Sequence, residues 1–254
     1  MSFGVDNPNG FVPLSIQDVQ GTPNVPFDES YSIMSGYNQN IGCGDLVILN
    51  TGAPNTSVGY LNNFFDYLQD VVAGRPLVYG TAGPALGVFV GASYEKTYER
   101  GDTPYIPAWR NSWVAGTTTQ GGAPAKARII PLTYGYRWSA QMDIQGATQD
   151  ALGRFVVVVY QQDSNDKVLL GKDGSSTMYL STFFSGKGTT LVGNPFSPAF
   201  TAGVAPVQGT NFTLCQIVGF DNRNGESQVG IPYGQVQVRL CDAQLPMITS
   251  ITAQ

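Results

Sequence analysis

The chain has no histidine in 254 residues. That excludes Ser-His-Asp and Cys-His catalysis, His-ligated zinc and any histidine pH switch. Charge is scarce too: Asp, Glu, Lys and Arg make up 12% of the chain, about half the usual share of roughly 25%. Asn, Gln, Ser, Thr and Gly must therefore cover the surface, which suits a protein that lies against another protein. A net charge of −5 with no basic stripe argues against nucleic acid as a partner and against an anionic membrane. No apolar run reaches the roughly 18–20 residues of a membrane span. The opening MSFGVDNPNG has neither a charged head nor an apolar core, so no signal peptide is expected. Cys43, Cys215 and Cys241 are odd in number and widely spaced. They read as reduced, mostly buried thiols of a protein made in the cytosol. Cys215 and Cys241 both fall in expected strands, and whether they pair stays open.

What is present is β-scaffold. Hydrophobic residues make up 42% of the chain, and a chain of this length buries about 70–75% of its unfolded surface without needing disulfides or metals. Residues 1–30 are rich in Pro, Gly and Asn, with apolar anchors at Phe11, Val12, Leu14, Ile16, Val25 and Phe27. They read as an extended arm that docks on something. Strands are expected over 31–34, 46–49, 77–79, 88–94, 127–130, 136–143, 155–160, 212–220 and 235–240. In 136–143, Tyr136, Trp138, Ala140 and Met142 alternate with Arg137, Ser139, Gln141 and Asp143, the pattern of a strand with one buried and one solvated face. Leu61, Phe64, Phe65, Leu68, Val71 and Val72 recur at helical spacing, and Gly74 is placed as a stop. Thr148 is placed to cap a short turn through Leu152, ended by Gly153.

Short strands punctuated every 8–12 residues predict a mainly β fold. The expected form is an antiparallel β-sandwich or barrel, jelly-roll-like, with an extended N-terminal arm and one or two short helices. The expected units are an arm over 1–30 and a β-rich domain over 31–254, with a candidate sub-boundary near 145–155.

No catalytic motif is complete. GxSxG and HExxH are absent, and the GK pair at Gly186-Lys187 lacks the glycine and Ser/Thr of a phosphate loop. Asp163, Asn165, Asp166 and Asp173 lack the spacing of a calcium loop and read as a solvated turn. Glu95, Glu99 and Asp102 alternate with Lys96 and Arg100, so a charge cluster is a better reading than a glycosidase carboxylate pair. The expectation is a non-enzyme with no cofactor and no metal. Residues 96–122 form a long expected loop, and such loops are usually functional. Its aromatics Tyr98, Tyr105, Trp109 and Trp113, with Tyr94 before them, can plug the open end of the β core, fill pockets on a protein partner, or stack on sugars.

Several blocks, in order, resemble one family. Asn7-Pro8-Asn9-Gly10-Phe11-Val12-Pro13-Leu14 is similar to an "NPxGxxP" opening. Tyr31-Ser32-Ile33, Asn40-Ile41 and Gly44-Asp45-Leu46-Val47 are similar to a "Y-I…NI-GD-V" block. Residues 87–94, GVFVGASY, match "GVFxGxxY". Pro104-Tyr105, Trp109, Gly116-Thr117 and Ala125-Lys126-Ala127 resemble "pYWpaGT…AkA", and Ala140-Gln141-Met142-Asp143 resembles "eiQaD". These are blocks of the capsid decoration (cement) proteins of tailed bacteriophages. The chain departs from them at Pro131-Leu132-Thr133-Tyr134, where the family has an acidic step, and at Ile106-Pro107-Ala108, which splits its Tyr-Trp pair.

The resemblance implies a virion structural protein on the capsid exterior, made in the bacterial cytoplasm. Its partners would be the major capsid protein and further copies of itself, as a dimer or trimer. Candidate partner contacts are Phe11, Leu14, Ile16, Tyr98, Tyr105, Trp109 and Trp113. The alternative expectation is a carbohydrate-binding or host-adhesion module on the particle.

Overall fold

The computed structural model of the chain describes residues 8–14, 27–50, 59–64, 66, 86–94, 108–131, 137–144, 146–153, 155–161, 163–165, 167–181, 215–221 and 229–240. The protein is mainly β. Fourteen strands lie among the described residues: β1 (Val12–Pro13), β2 (Ser32–Ile33), β3 (Ile41–Gly42), β4 (Leu46–Asn50), β5 (Tyr60–Asn63), β6 (Gly87–Tyr94), β7 (Ala108–Arg110), β8 (Ser112–Trp113), β9 (Ala125–Pro131), β10 (Arg137–Gln141), β11 (Phe155–Val159), β12 (Tyr179–Ser181), β13 (Cys215–Phe220) and β14 (Gln235–Leu240). Among these residues no helix is long and apolar enough to cross a membrane.

One sheet runs β1-β10-β14-β13-β11-β12 and is antiparallel throughout. The other runs β4-β5-β2-β9-β6-β7, and β4 also pairs with β6. That extra pairing closes β4, β5, β2, β9 and β6 into a ring, with β7 continuing outside it. One edge of β6 is shared: Gly87 and Val88 pair with β4, whereas Ala92 to Tyr94 pair with β7. The two forms expected from the sequence thus coexist, an open sheet packed against a closed one.

Period-2 alternation builds two cores from one set of strands. Ile33, Val47, Leu61, Phe89, Ala125, Ala127 and Ile129 point into the ring. Their neighbours Leu46, Ile48, Val88 and Ile130 point outward and pack with Trp138, Ala140, Met142, Val156, Val158, Ile217, Val236 and Val238 of the open sheet. A bulge between Phe89 and Gly91 resets the phase of β6, so Phe89, Ala92 and Tyr94 all join the inner core. The ribbon β3–β8 covers this core with Ile41 and Trp113.

The 1–30 segment docks on its own domain where it is described. β1 is an edge strand against β10, and Phe11 is buried against Trp138 in an edge-to-face contact at 6.4 Å. Asp28 bridges Ile129 of β9. The helix expected from Leu61 starts later: Leu61 to Asn63 pair with Leu49, Ile48 and Val47 as strand, because cross-strand pairing outweighs the helical spacing. Phe64 and Asp66 are helical, and 67–74 lie outside the described residues. The turn at Gln149–Ala151 forms after Thr148, but the Thr148 side chain makes no capping bond. Over 137–143 the expected exposure holds at Arg137 but not beyond it: Ser139, Gln141 and Asp143 are buried. The Ser139 hydroxyl donates to Asp221, and the Ser181 hydroxyl donates to Asp143.

Phe11 sits within the core, so the N-terminal segment is part of the fold. Phe11→Ala is expected to cost about 3–5 kcal/mol, the usual range for a buried phenylalanine. Thermal or denaturant melts check this, and an unchanged midpoint would show that the ring contributes nothing to the core.

Candidate functional site

Two places combine unusual geometry with polar or aromatic chemistry. The first is the turn Gly42-Cys43-Gly44-Asp45 between β3 and β4. Its backbone ties three other segments to the turn. Gly44 O accepts from Phe11 N at 2.9 Å, and Gly44 N donates to Phe89 O at 2.8 Å. Cys43 N donates to Gly174 O, Cys43 O accepts from Ser176 N, and Phe89 N donates to Asp45 O. The chains cross so closely that a Cβ on Gly10 would lie 2.5 Å from Gly44 O, and one on Gly44 would lie 2.4 Å from Asn9 O. Both glycines also have positive φ, +65° and +98°, a region that glycine enters at no steric cost.

The Asp45 carboxyl is fully buried, at 0% exposure. Its Oδ2 accepts from Gly42 N at 2.7 Å and from Asn63 Nδ2 at 2.9 Å, whereas Oδ1 has no hydrogen-bond partner among the described residues. Burial raises its pKa to about 6, against the opposing pull of the nearby polar groups of Ser176, Gly42 and Asn63. A raised carboxyl suits general acid chemistry only where substrate can reach it, and this one is sealed inside the molecule. Burial, followed by the Asp45 and Asp173 charges, pushes the Cys43 thiol up as well, which makes it a weak nucleophile at neutral pH. This turn is therefore a structural clasp.

The second place is the outer face of the closed sheet beyond the reach of the open one. Lys126 pairs with Ser93, and Ser93 with Trp109, so β9, β6 and β7 present one row outward. The Arg128 guanidinium lies 4.1 Å from the centre of the Trp109 ring and 5.2 Å from that of Phe27. Arg128 Nε also donates to Glu29 Oε1 at 2.7 Å. The result is a Phe–Arg–Trp stack held by a carboxylate on its flank. Phe27 is 52% exposed and Trp109 42% exposed. A Cβ at Gly91 would meet Arg110 O at 2.7 Å and lie 3.8 Å from the Trp109 ring, so the bare glycine lets β7 and its indole sit close to the sheet.

The structure separates the residues singled out in the sequence. Trp113 is fully buried, stacks edge-on against Tyr94 at 5.1 Å, and donates its indole N–H to Tyr37 O at 3.1 Å. Trp113 and Tyr94 plug the inner core, one of the alternatives weighed for these aromatics. Phe11 lies in the core between the sheets and Trp113 in the inner core, so neither of these candidate partner contacts is at the surface of the folded chain. Leu14 is half-buried at the sheet edge. Trp109 alone of the described candidates is exposed, and Ile16, Tyr98 and Tyr105 lie outside the described residues, as do Glu95, Glu99 and Asp102. Phe27 and Arg128 were not among the candidates. Phe27 stood out in the sequence only as an apolar anchor, and Arg128 carried no signal because its partners lie far along the chain. Asp163 and Asp173 build turns: Asp163 accepts from Asn165 N and Lys167 N, and Asp173 from Ser175 N. Cys215 faces Leu240 in register, and Cys241 lies outside the described residues.

No family model, curated protein or solved structure matches the chain.

The clasp has a pH signature. The folded state holds the Asp45 proton up to about pH 6, against 3.8 for the free group. Asp45 therefore contributes its full stability below about pH 4. That contribution is lost as pH rises to about 6, a difference of about 3 kcal/mol at 1.36 kcal/mol per pKa unit. Asp45→Asn retains an oxygen acceptor and cannot ionise. Relative to this variant, wild type is expected to lose stability between pH 4 and 6.5, measured by urea melts. Parallel pH curves for the two proteins would contradict the assignment.

Proposed function

We propose that the chain is a virion structural protein, a capsid decoration protein that docks on the outer surface of the shell and reinforces contacts between major capsid subunits. The observation that carries this reading is the exposed Phe27–Arg128–Trp109 stack on a rigid strand face. Aromatic residues and arginine are the anchors that interfaces concentrate, whereas a large apolar ring left in water is a cost to a free monomer. The blocks similar to tailed-phage decoration proteins add support through their positions. The opening block and the Gly44-Asp45 block meet where Gly10 crosses Gly44. The GVFVGASY block is β6, which forms both cores and underlies Trp109. The low charge content suits the same role, since few ions must be desolvated when such a surface is covered. On this reading the protein transforms no substrate and acts as a small homo-oligomer spread over a lattice, where many weak contacts add up.

The exposed indole would also stack against a sugar ring, which keeps a glycan-binding module as the second reading. Trp109→Ala separates the two. Truncating an interface anchor costs about 2 kcal/mol or more, roughly a thirtyfold loss of affinity. The expected result in co-sedimentation with undecorated capsids is a loss of that size, with a melting midpoint close to wild type because the ring is at the surface. Full capsid binding by the variant, or a glycan-array signal that Trp109→Ala abolishes, would favour the second reading.

A further inference from the structure

Lys126 stands beside the Phe27–Arg128–Trp109 stack with no ion pair among the described residues. It is exposed in the middle of a row that crosses the outer face of the ring. Tyr60 pairs with Ser32, Ser32 with Lys126, Lys126 with Ser93, and Ser93 with Trp109. Strands lie about 4.8 Å apart, so Lys126 is roughly 10 Å from Trp109 across the sheet. Arg128 is two residues along β9 on the same face, since Ala125, Ala127 and Ile129 between and beside them point inward. Its charge is met by Glu29: Nε lies 2.7 Å and Nη2 2.5 Å from the same Oε1. Asp28, the neighbouring carboxylate, is turned back on Ser30, whose backbone N–H and hydroxyl both donate to its Oδ1. The face therefore holds a cation with no carboxylate against it, in a chain whose net charge is −5.

We propose, building on the capsid reading, that this face docks on an acidic protein surface, and that a carboxylate of the partner seats on Lys126 beside the Trp109 ring. The reason is desolvation. Docking that covers Trp109 and Phe27 strips water from both cations between and beside them. Glu29 already compensates Arg128, but nothing compensates Lys126. A covered, unpaired ammonium opposes binding, and lysine is depleted from interface cores for that reason. A partner carboxylate removes the penalty and adds a charge-assisted hydrogen bond. The flanking residues suit such a visitor. Ser32 and Ser93 are short enough to leave the ammonium open from both sides, and their hydroxyls are further donors to a carboxylate. Glu29 sets the selectivity: it repels the partner's acid from Arg128 and directs it to Lys126. The chain's own charge of −5 works against an acidic partner at long range, so this local excess of positive charge fixes which face meets it.

The test measures association of the full-length chain with immobilised undecorated capsids over a salt series. Lys126→Gln removes the charge, Lys126→Glu reverses it, and Glu29→Gln removes the opposing one. Lys126 is exposed, and a glutamine at position 29 keeps an oxygen for the Arg128 guanidinium, so all three variants are expected to melt with wild type. Lys126→Gln is expected to bind about tenfold more weakly and with less dependence on salt, and Lys126→Glu more weakly still. Glu29→Gln is expected to associate faster at low salt. Opposite signs at the two positions are what a merely structural role would not produce. Capsid binding by wild type that the Lys126 variants match, or slower association of Glu29→Gln, overturns the acidic partner and leaves the capsid reading standing. A wild-type chain that does not bind capsids removes both. Lys126-dependent dimerisation without capsids, or Lys126-dependent capture on a glycan array, names a different occupant and also overturns the proposal.

Discussion

A buried carboxyl, hydrogen-bonded through one oxygen to Gly42 and Asn63, sits at the point where most of the described structure is joined. Asp45 and the three residues before it take hydrogen bonds from, or give them to, the N-terminal strand, β5, β6 and the 174–176 segment. The crossing is possible because Gly10 and Gly44 have no side chains. A methyl group on either would penetrate the opposing backbone. The two cores depend on this point. Leu46 and Val47, which follow the clasp directly, point into opposite cores. The phase in which β4 leaves the turn therefore fixes which face of the ring looks inward.

The same closure that builds the inner core leaves an outer face only partly covered. The open sheet buries Val88 and Ile130 but does not reach Arg128, further along β9, or Trp109 on the neighbouring β7. The ring is rigid there, with β6 hydrogen-bonded along both edges. An aromatic anchor carried by such a scaffold loses little conformational freedom when it is covered. The proposed adhesive role rests on a strand face that carries an arginine against two exposed rings.

Much of the fold was legible in the sequence, because alternation is a local signal. The runs that became β4, β6, β9, β10, β11, β13 and β14 can all be read from their own residues. What could not be read depended on distant pairing. Leu61 to Asn63 share their spacing with a helix and became strand through β4. Ser139, Gln141 and Asp143 look like a solvated face, and their burial depends on partners such as Asp221 and Ser181 many residues away. The surface was legible in part. Trp109 stands out by residue type, but the arginine that orders it lies on another strand, and Phe27 belongs to the N-terminal segment. Trp113, four residues on and chemically identical, went inside because β8 pairs with β3 over the open end of the ring.

The account is tested most directly by a cryo-EM reconstruction of the virus particles made from the genome that encodes this chain. It predicts density for the two-sheet domain on the outside of the shell, with the Phe27–Arg128–Trp109 face turned toward the capsid subunits. Density that places this face toward solvent, a shell without the domain, or a genome that makes no particle would contradict it.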